Sequence, residues 1–414
     1  MAYDPLNPAV TCNPYPHYAE LRANSPVKWI ESLAGFAVSR YDDVVEVLRD
    51  AQTYSSSKFW PALLGEFDPV PEVPPMISMD PPGHVRIRKL ANTAFVPKSI
   101  AKFPPKIRDI ANALVDDIVA KNGTSGTFDF TWEFAALFPV TVVADVLGVD
   151  VAKRASFKHW VDDVLSAGNR AAYGPERLAQ IGKSSKDLRA YFEALYEQRL
   201  AEPRDDLISA FIHNEVEGEK LTKAEVLNLG ILLLIGGVET TTNLLGIMFT
   251  ILRSRPELLA RLKADPALIS AFIEEVLRYD TSVQMVFRHT MRDTELNGVR
   301  IPEGSLVLPL LGSANRDASV WDKPDVFDID RARGQVMSFG NGAHFCLGTY
   351  LSKMESKIAL EVLFERFDVL RAVNEDVKWM DSYFARGPTT LPMEFVAHAG
   401  KAVAANAPAG VSHG

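Results

Sequence analysis

The stretch FGNGAHFCLG, residues 339–348, carries the strongest chemical signature in the chain. Its glycines at positions 340, 342 and 348 allow tight turns and close approach of the backbone to a flat ligand. Cys346 directly precedes a segment with helical periodicity, and free N–H groups at a helix start favour the thiolate, which is the form that binds metals. A structural cysteine in a glycine-rich turn is the alternative. The complete pattern F-x-x-G-x-H-x-C-x-G argues against it and favours a metal-ligand loop.

The most regular helical pattern precedes this loop and covers residues 221–255. Thr222 and Glu225 have the spacing of a capping box at its start, and Pro256 marks its end. At about 1.5 Å per residue such a helix would be about 50 Å long, enough to cross a whole domain. Its strongly apolar run, Ile231–Val238, is far shorter than the roughly 20 residues that span a bilayer. The sequence therefore predicts a long core helix.

The centre of this helix reads GGVETT, residues 236–241, a composition that is unusual for a helix interior. Gly236 and Gly237 would leave room beside the helix for a small ligand. Glu239 and Thr240 form an acid–alcohol pair, which can steer protons carried by water. A polar notch in a core helix is the alternative for this motif taken alone.

The rest of the chain predicts a helix-rich protein with a few short strands. Helical patterns dominate residues 98–290, and a last helix is predicted for about 349–366. Residues 54–79, rich in Pro and Ser but carrying large apolar groups, predict a long loop, and such loops are often functional. Short strands are predicted for VKWI (27–30), GFAVSRY (35–41) and VRIPEGSLVLPLL (299–311).

Composition and charge exclude several classes of function. The 414 residues are 47% hydrophobic and 23% charged, which is typical of a globular protein with a large core. The formal net charge of -9 argues against nucleic acid or an anionic membrane as a partner. The first residues lack a basic region followed by an apolar stretch, so we expect no secretory signal and a cytoplasmic protein. The two cysteines, Cys12 and Cys346, cannot form a disulfide framework.

The cysteine loop resembles that of the cytochromes P-450, and the GGVETT segment is similar to the family's [AG]-G-x-[DE]-T-[ST] motif. The motifs occur in the family's order along nearly the whole chain. The resemblance implies a mainly α fold with small β-sheets (α+β), with heme b between the long central helix and the helix after the cysteine loop. Cys346 would be the thiolate ligand of the iron, and Glu239 and Thr240 would relay protons during catalysis. We expect residues 1–399 to form a single catalytic domain and residues 400–414 a disordered tail.

The resemblance also implies structural and cofactor-binding roles for other residues. Glu275 and Arg278 lie three apart, so they share a helix face, and they are similar to the E-x-x-R pair that braces the family fold. An ordinary surface pair is the alternative for these two residues alone. Many members complete the brace with an arginine where this chain has Val326, and Arg331 is a possible substitute. The resemblance places these residues at the heme: His84, Arg88, Gly236, Gly237, Arg288, Phe339, His344, Cys346 and Gly348, with His84, Arg88, Arg288 and His344 at propionate-binding positions.

The activity implied by the resemblance is that of a monooxygenase, which inserts one oxygen atom from O2 into an apolar small molecule by hydroxylation or epoxidation. A fatty acid, terpenoid, steroid or polyketide would fit a pocket lined by these residues: Phe59, Trp60, Leu63, Val286, Phe287 and Phe384. No flavin- or nicotinamide-binding motif is visible, so a ferredoxin or flavodoxin-like donor with its NAD(P)H-dependent reductase would supply electrons. Arg86, Lys89 and Lys353 are candidates for docking this donor, and we expect a monomer.

Two other functions are compatible with a heme-thiolate fold. A peroxide-driven enzyme is the first, but members of that kind lack the acid–alcohol pair, so Glu239 and Thr240 argue against it. A sensor or binding protein without turnover is the second. It would usually carry a regulatory or DNA-binding extension, which this sequence does not show.

Overall fold

The fold is described here from a computed structural model. The structure describes residues 3–95, 100–150, 153–332, 334–373 and 376–398. The predicted tail, residues 400–414, lies outside these ranges. Within them the chain is rich in helices and has small sheets, so the predicted fold class is confirmed.

Helices account for most of the regular structure in the described residues. Their bounds are α1 Pro8–Cys12, α2 Tyr15–Asn24, α3 Tyr41–Arg49, α4 Phe59–Leu64, α5 Gly83–Asn92, α6 Phe103–Asn122, α7 Leu137–Leu147, α8 Arg154–Ser166, α9 Pro175–Ala201, α10 Leu207–His213, α11 Lys223–Arg253, α12 Pro256–Ala264, α13 Ile269–Tyr279, α14 Leu311–Ala314 and α15 Thr349–Arg366. The predicted long helix is α11, and the predicted helix after the cysteine loop is α15.

Helix α11 begins and ends for the local reasons that the sequence predicted. The Thr222 side chain accepts a hydrogen bond from the Glu225 N–H, and the Glu225 carboxylate accepts one from the Thr222 N–H, forming a capping box. The helix ends at Arg253, just ahead of Pro256. Its length and composition alone would allow it to cross a membrane, but 61% of its most apolar window is buried inside the protein. Burial to this extent indicates a helix in the core of the protein.

Glycines let neighbouring helices approach α11 closely. A Cβ atom on Gly230 would lie 2.6 Å from Phe192 in α9, and one on Gly237 would lie 2.9 Å from Val143 in α7. A larger residue at either position would therefore force the neighbouring helix or side chain to move. Through these contacts α11 becomes the axis on which the surrounding helices pack.

Three small sheets complete the described fold. The strands are β1 Val27–Ile30, β2 Gly35–Val38, β3 Tyr54–Ser55, β4 Ser125–Asp129, β5 Arg288–Thr290, β6 Thr294–Leu296, β7 Val299–Ile301, β8 Leu306–Pro309, β9 Phe367–Ala372 and β10 Pro392–Ala397. The largest sheet has the order β1-β2-β8-β5-β3, and its β2–β8 pair is parallel, with Gly35 opposite Leu306. The other sheets are β4-β10-β9 and the hairpin β6-β7.

The prediction of an irregular loop at residues 54–79 is wrong in part, because this segment contains α4 and two 3-10 turns. Trp60, Leu64 and Phe67 are buried, so several of the large apolar groups belong to the core. A helix of six residues is too short to show a readable period in the sequence.

Helix α13 carries the predicted brace. Glu275 and Arg278 form two hydrogen bonds, of 2.8 Å (Nε to Oε2) and 2.7 Å (Nη2 to Oε1), and both side chains are buried. Arg331 lies against the same carboxylate, with Nε 3.4 Å from Oε1. The Val326 side chain is exposed, but its backbone carbonyl accepts a hydrogen bond from each arginine. This chain therefore completes the brace with Arg331 and a carbonyl group.

Candidate active site

One internal cavity brings together the residues predicted for the cofactor, for catalysis and for the substrate pocket. Helix α11 forms one wall and the cysteine loop with the start of α15 forms the opposite wall. The residues of the cofactor set and the acid–alcohol pair that line it are His84, Arg88, Gly236, Gly237, Glu239, Thr240, Arg288, Phe339, His344, Cys346 and Gly348. The six predicted pocket residues line it too: Phe59, Trp60, Leu63, Val286, Phe287 and Phe384.

Positive φ angles shape the cysteine loop. Gly340 and Gly342 have φ of 70° and 67°, which glycine adopts without strain. A Cβ on Gly342 would also lie 2.5 Å from the carbonyl oxygen of Leu48. The turn is closed by a 2.9 Å hydrogen bond from the Cys346 N–H to the Phe339 carbonyl. These features hold the loop in shape and place the sulfur at the cavity wall.

The Cys346 sulfur is open to the cavity and otherwise enclosed by protein. Burial raises the pKa of this thiol, and the opposing hydrogen bonds from Gly348 and Thr349 at the start of α15 do not overcome it. The hydrogen bonds from the helix start thus lower the pKa of the thiol, in the direction that the sequence predicted, while burial has the larger effect. A thiolate here needs a cation against the sulfur, which a bound metal ion provides.

Four basic side chains lie together at another edge of the cavity: His84, Arg88, Arg288 and His344. Among the described residues, none of these four forms an ion pair. The rings of His84 and His344 are 4.3 Å apart between centroids. Both ring nitrogens of His84 and Nε2 of His344 are buried without a hydrogen-bond partner. Burial, then the charges of Arg288 and its neighbours, lower the pKa of His344 to about 3. Burial likewise lowers the pKa of Arg288 to about 10. Such a cluster fits a ligand that carries carboxylates.

The two glycines of α11 have different surroundings. A Cβ on Gly236 would meet nothing within 4 Å, so this glycine borders open space. Gly237 instead makes the close packing with Val143 described above. Only Gly236 therefore clearly fits the expectation that glycine leaves room for a small ligand, whereas Gly237 is also required by helix packing.

Glu239 and Thr240 both line the cavity. The Thr240 hydroxyl donates a 2.7 Å hydrogen bond to the Gly236 carbonyl, which leaves its oxygen lone pairs for a ligand. Burial raises the pKa of Glu239, with Lys158 lowering it and Asp162 raising it. Its proton is therefore held to a higher pH than that of an ordinary carboxyl group.

Three polar residues at the cavity escaped the sequence reasoning. Thr241 and Ser352 lie 3.3 Å apart between their hydroxyl oxygens and join α11 to α15. Glu355 is fully enclosed, its Oε2 has no hydrogen-bond partner, and burial raises its pKa well above the usual value. The sequence could have indicated Glu355, because it lies three residues after Ser352 and the two side chains therefore share a helix face.

The apolar part of the cavity is built around a stack of aromatic rings. Phe287 stacks on Phe59 at 5.5 Å and on Phe384 at 5.8 Å between ring centroids. The three rings come from α4, from the approach to β5 and from the turn before β10, so the fold brings together distant parts of the chain. Leu229, Leu232 and Leu233 of α11 line the same cavity. In the part of the chain that the structure describes, Arg88 and Arg288 are the lining residues of type Lys or Arg.

The basic residues considered for donor docking are all paired within the chain. Arg86 contacts Glu225 at 2.7 Å and Glu219 at 2.9 Å, and Lys89 contacts Glu217 at 2.5 Å. Lys353 contacts Glu274 at 2.6 Å. A docking surface built from these residues would therefore carry less positive charge than the sequence suggested.

Comparison with known proteins decides the family. Residues 29–393 match the family model described as cytochrome P450. The chain belongs to the cytochrome P450 family. Its fold is similar to that of cytochrome P450 CYP109Q5 from Chondromyces apiculatus, with a TM-score of 0.87, 42% identity, and coverage of 96% of this chain and 99% of that chain.

Two further cytochromes P450 are related over nearly their whole length. CYP109E1 from Bacillus megaterium, solved in complex with testosterone, has a TM-score of 0.82, 34% identity, and coverage of 92% of this chain and 99% of that chain. The vitamin D(3) 25-hydroxylase of Pseudonocardia autotrophica is 35% identical, with coverage of 92% of this chain and 93% of that protein.

Family membership establishes the cofactor and the reaction class. Cytochromes P450 carry heme on a cysteine thiolate and are monooxygenases that use O2, redox partners and small-molecule substrates. The cavity fits this cofactor, because it offers a cysteine sulfur and four basic groups without anionic partners. The two propionates of heme would supply the missing anions.

Proposed function

We propose that this cytochrome P450 oxidises a neutral lipophilic molecule with a rigid ring system, of the steroid or terpenoid class, with electrons from a separate ferredoxin or flavodoxin-like donor. The observation that carries the proposal is the single cavity, which combines the Cys346 sulfur, a basic edge and a wall of stacked aromatic rings. Fatty acids and polyketides, the other two classes that the sequence predicted, are the alternatives to this proposal.

The heme site is assigned to one residue for the iron and to four for the propionates. Cys346 would bind the iron, and His84, Arg88, Arg288 and His344 would neutralise the propionates. Heme, when bound, supplies O2 reduction and the transfer of one oxygen atom to the substrate. Protein encloses the Cys346 sulfur on the sides away from the cavity, so an iron held by this sulfur would lie in a low-dielectric setting.

Glu239 and Thr240 are assigned to proton delivery. The Thr240 hydroxyl is oriented by its bond to Gly236, so its oxygen accepts a hydrogen bond from the cavity side. The raised pKa of Glu239 suits a group that takes a proton from water and passes it inward. This acid–alcohol pair supports the use of O2 over a peroxide-driven reaction.

The substrate class is proposed from the charge of the side chains that line the cavity. Among the described residues that line the cavity, Arg88 and Arg288 are assigned to the propionates, which leaves no further Lys or Arg to anchor a substrate carboxylate. Apolar and aromatic side chains would then bind the substrate through shape and burial. The relatives with testosterone and vitamin D(3) in their names support a molecule of this kind.

The electron donor is proposed to be an acidic ferredoxin or flavodoxin with its NAD(P)H-dependent reductase. Phe345 and Tyr350 flank Cys346 in sequence and are exposed, so they offer an apolar centre for docking close to the sulfur. Lys353 lies one turn further along α15. We further propose a cytoplasmic monomer in which residues 1–399 form one catalytic domain.

A carbon monoxide difference spectrum tests the proposal first. The dithionite-reduced protein should show the strongly red-shifted Soret band of a thiolate–CO complex, and Cys346→Ala should lose it while Cys12→Ala keeps it. Testosterone should then shift the ferric spin state, and palmitate, which has a carboxylate and no rings, should do so more weakly. A band that survives Cys346→Ala would refute the ligand assignment. Stronger binding of palmitate would refute the substrate class.

A further inference from the structure

Helix α4 lies between the cavity and solvent. Trp60 and Leu63 of this helix line the cavity, whereas Pro61 and Ala62, the residues between them, are exposed. A single helix of six residues therefore separates the substrate space from water here. Helices this short have little stability of their own, so α4 must be held by its surroundings.

The Arg170 side chain holds the last turn of α4 through hydrogen bonds to its backbone. Its Nη1 lies 3.1 Å from the Ala62 carbonyl oxygen, 3.2 Å from that of Leu63, and 3.1 Å from that of Ala167. The first two carbonyls belong to the last turn of α4, and the third belongs to the segment after α8. A cation at the end of a helix also interacts favourably with its dipole.

Local packing around this side chain is close on both sides. A Cβ on Gly168 would lie 2.9 Å from the Leu63 side chain, and one on Gly65 would lie 3.3 Å from the Arg170 guanidinium carbon. Gly65 also has a φ of 54°, which favours glycine. Glycine at these positions thus allows the two segments to pack closely, and Arg170 joins them through their backbones.

We propose that Arg170 is a positioning residue that fastens α4 across the substrate cavity and so controls the rate at which large ligands reach it. The inference rests on the proposed function in that the cavity is taken as the substrate site. Opening at α4 breaks the Arg170 hydrogen bonds to Ala62 and Leu63 and moves Phe59, which unstacks from Phe287. Diatomic gases need no such opening.

Three variants test this role: Arg170→Ala, Arg170→Lys and the control Arg189→Ala. Arg189 is equally exposed, at 32% of its side chain, and it also ties a helix to a loop, through Glu72 and the Pro69 carbonyl. Its partners do not line the cavity. Lysine at position 170 keeps a donor for the carbonyls and should partly restore the wild-type behaviour.

The measurements are the association rate of clotrimazole, a bulky azole, with the ferric protein and of carbon monoxide with the ferrous protein. Arg170→Ala should speed clotrimazole association about 10-fold, the change expected from losing one or two ordinary hydrogen bonds. Carbon monoxide association should not change. Hydrogen exchange of the amides in residues 59–64 should accelerate to a similar extent, and Arg189→Ala should behave as wild type in all three measurements.

Unchanged clotrimazole association and unchanged exchange in Arg170→Ala would overturn the inference, as would equal effects of Arg189→Ala. The outcome is separate from that of the proposed function. A wild-type protein without the thiolate–CO band would refute the proposed function, while the exchange comparison, which needs no heme, would still decide whether Arg170 fastens α4.

Discussion

Replacement of Arg278 by methionine tests whether the buried brace on α13 stabilises the fold. The change removes both bonds to Glu275 and the hydrogen bonds to the carbonyls of Asn315, Pro324 and Val326. Glu275 is 5% exposed and would keep only the Asp328 N–H at 2.9 Å and Arg331 at 3.4 Å. Removing one partner of a buried ion pair costs about 3–5 kcal/mol. We expect Arg278→Met to fall in that range, because the carbonyls of Asn315 and Pro324 also lose their Arg278 donor.

The assay is urea unfolding followed by heme absorbance and by far-ultraviolet circular dichroism. Arg261→Met is a matched control, because Arg261 forms two similar bonds to Asp330, of 2.8 and 2.7 Å, but on the surface. Solvent screens such a pair, so we expect its loss to leave the urea midpoint nearly unchanged. Equal midpoints for Arg278→Met and Arg261→Met would refute the reasoning that burial makes the α13 pair structurally important.

Three further predictions concern the site and its supporting helices. Glu239→Gln keeps size but removes the acid, so steady-state product formation should fall by about 10²–10⁴-fold while the CO spectrum is retained. Gly237→Ala should lower the free energy of unfolding by about 1–3 kcal/mol through contact with Val143, and adding Val143→Ala should restore most of it in the same urea assay. Burial alone would raise the pKa of Asp163, but hydrogen bonds from Ser184 and Arg177 outweigh it and hold the pKa below its ordinary value. Because this folded-state pKa lies below the unfolded one, its contribution to stability is present above about pH 4 and is lost in more acidic solution. Asp163→Asn should therefore destabilise at neutral pH, with the difference from wild type shrinking as the pH of urea unfolding falls below about 4.

Local rules were sufficient for the parts of the fold that the sequence predicted. The capping box at Thr222 and Glu225 and the helix after Cys346 depend on residues a few positions apart. The cofactor and the family followed from the ten-residue cysteine loop, whose glycines and cysteine are adjacent in the chain. Features of this kind can be predicted from the sequence because the residues that produce them lie in the same short segment.

The properties that the sequence did not predict depend on packing between distant segments. The pKa of Cys346 is raised because protein encloses the sulfur, and this burial outweighs the lowering by hydrogen bonds from the nearby helix start that the sequence predicted. Gly237 is required by Val143, about a hundred residues earlier, and the pairing of Arg86 with Glu225 depends on how α5 meets α11. The single catalytic domain over residues 1–399 stays a prediction.

The parallel pairing of β2 with β8 has a consequence for synthesis on the ribosome. Strand β2 is made early, yet its partner from Leu306 to Pro309 emerges roughly 270 residues later. At roughly 5–20 residues per second, β2 waits for tens of seconds with its inner edge unpaired. Contacts of such long range slow folding and expose strand edges to other chains. Recombinant yield of this protein should therefore depend on chaperones and on low temperature more than its large helical content suggests.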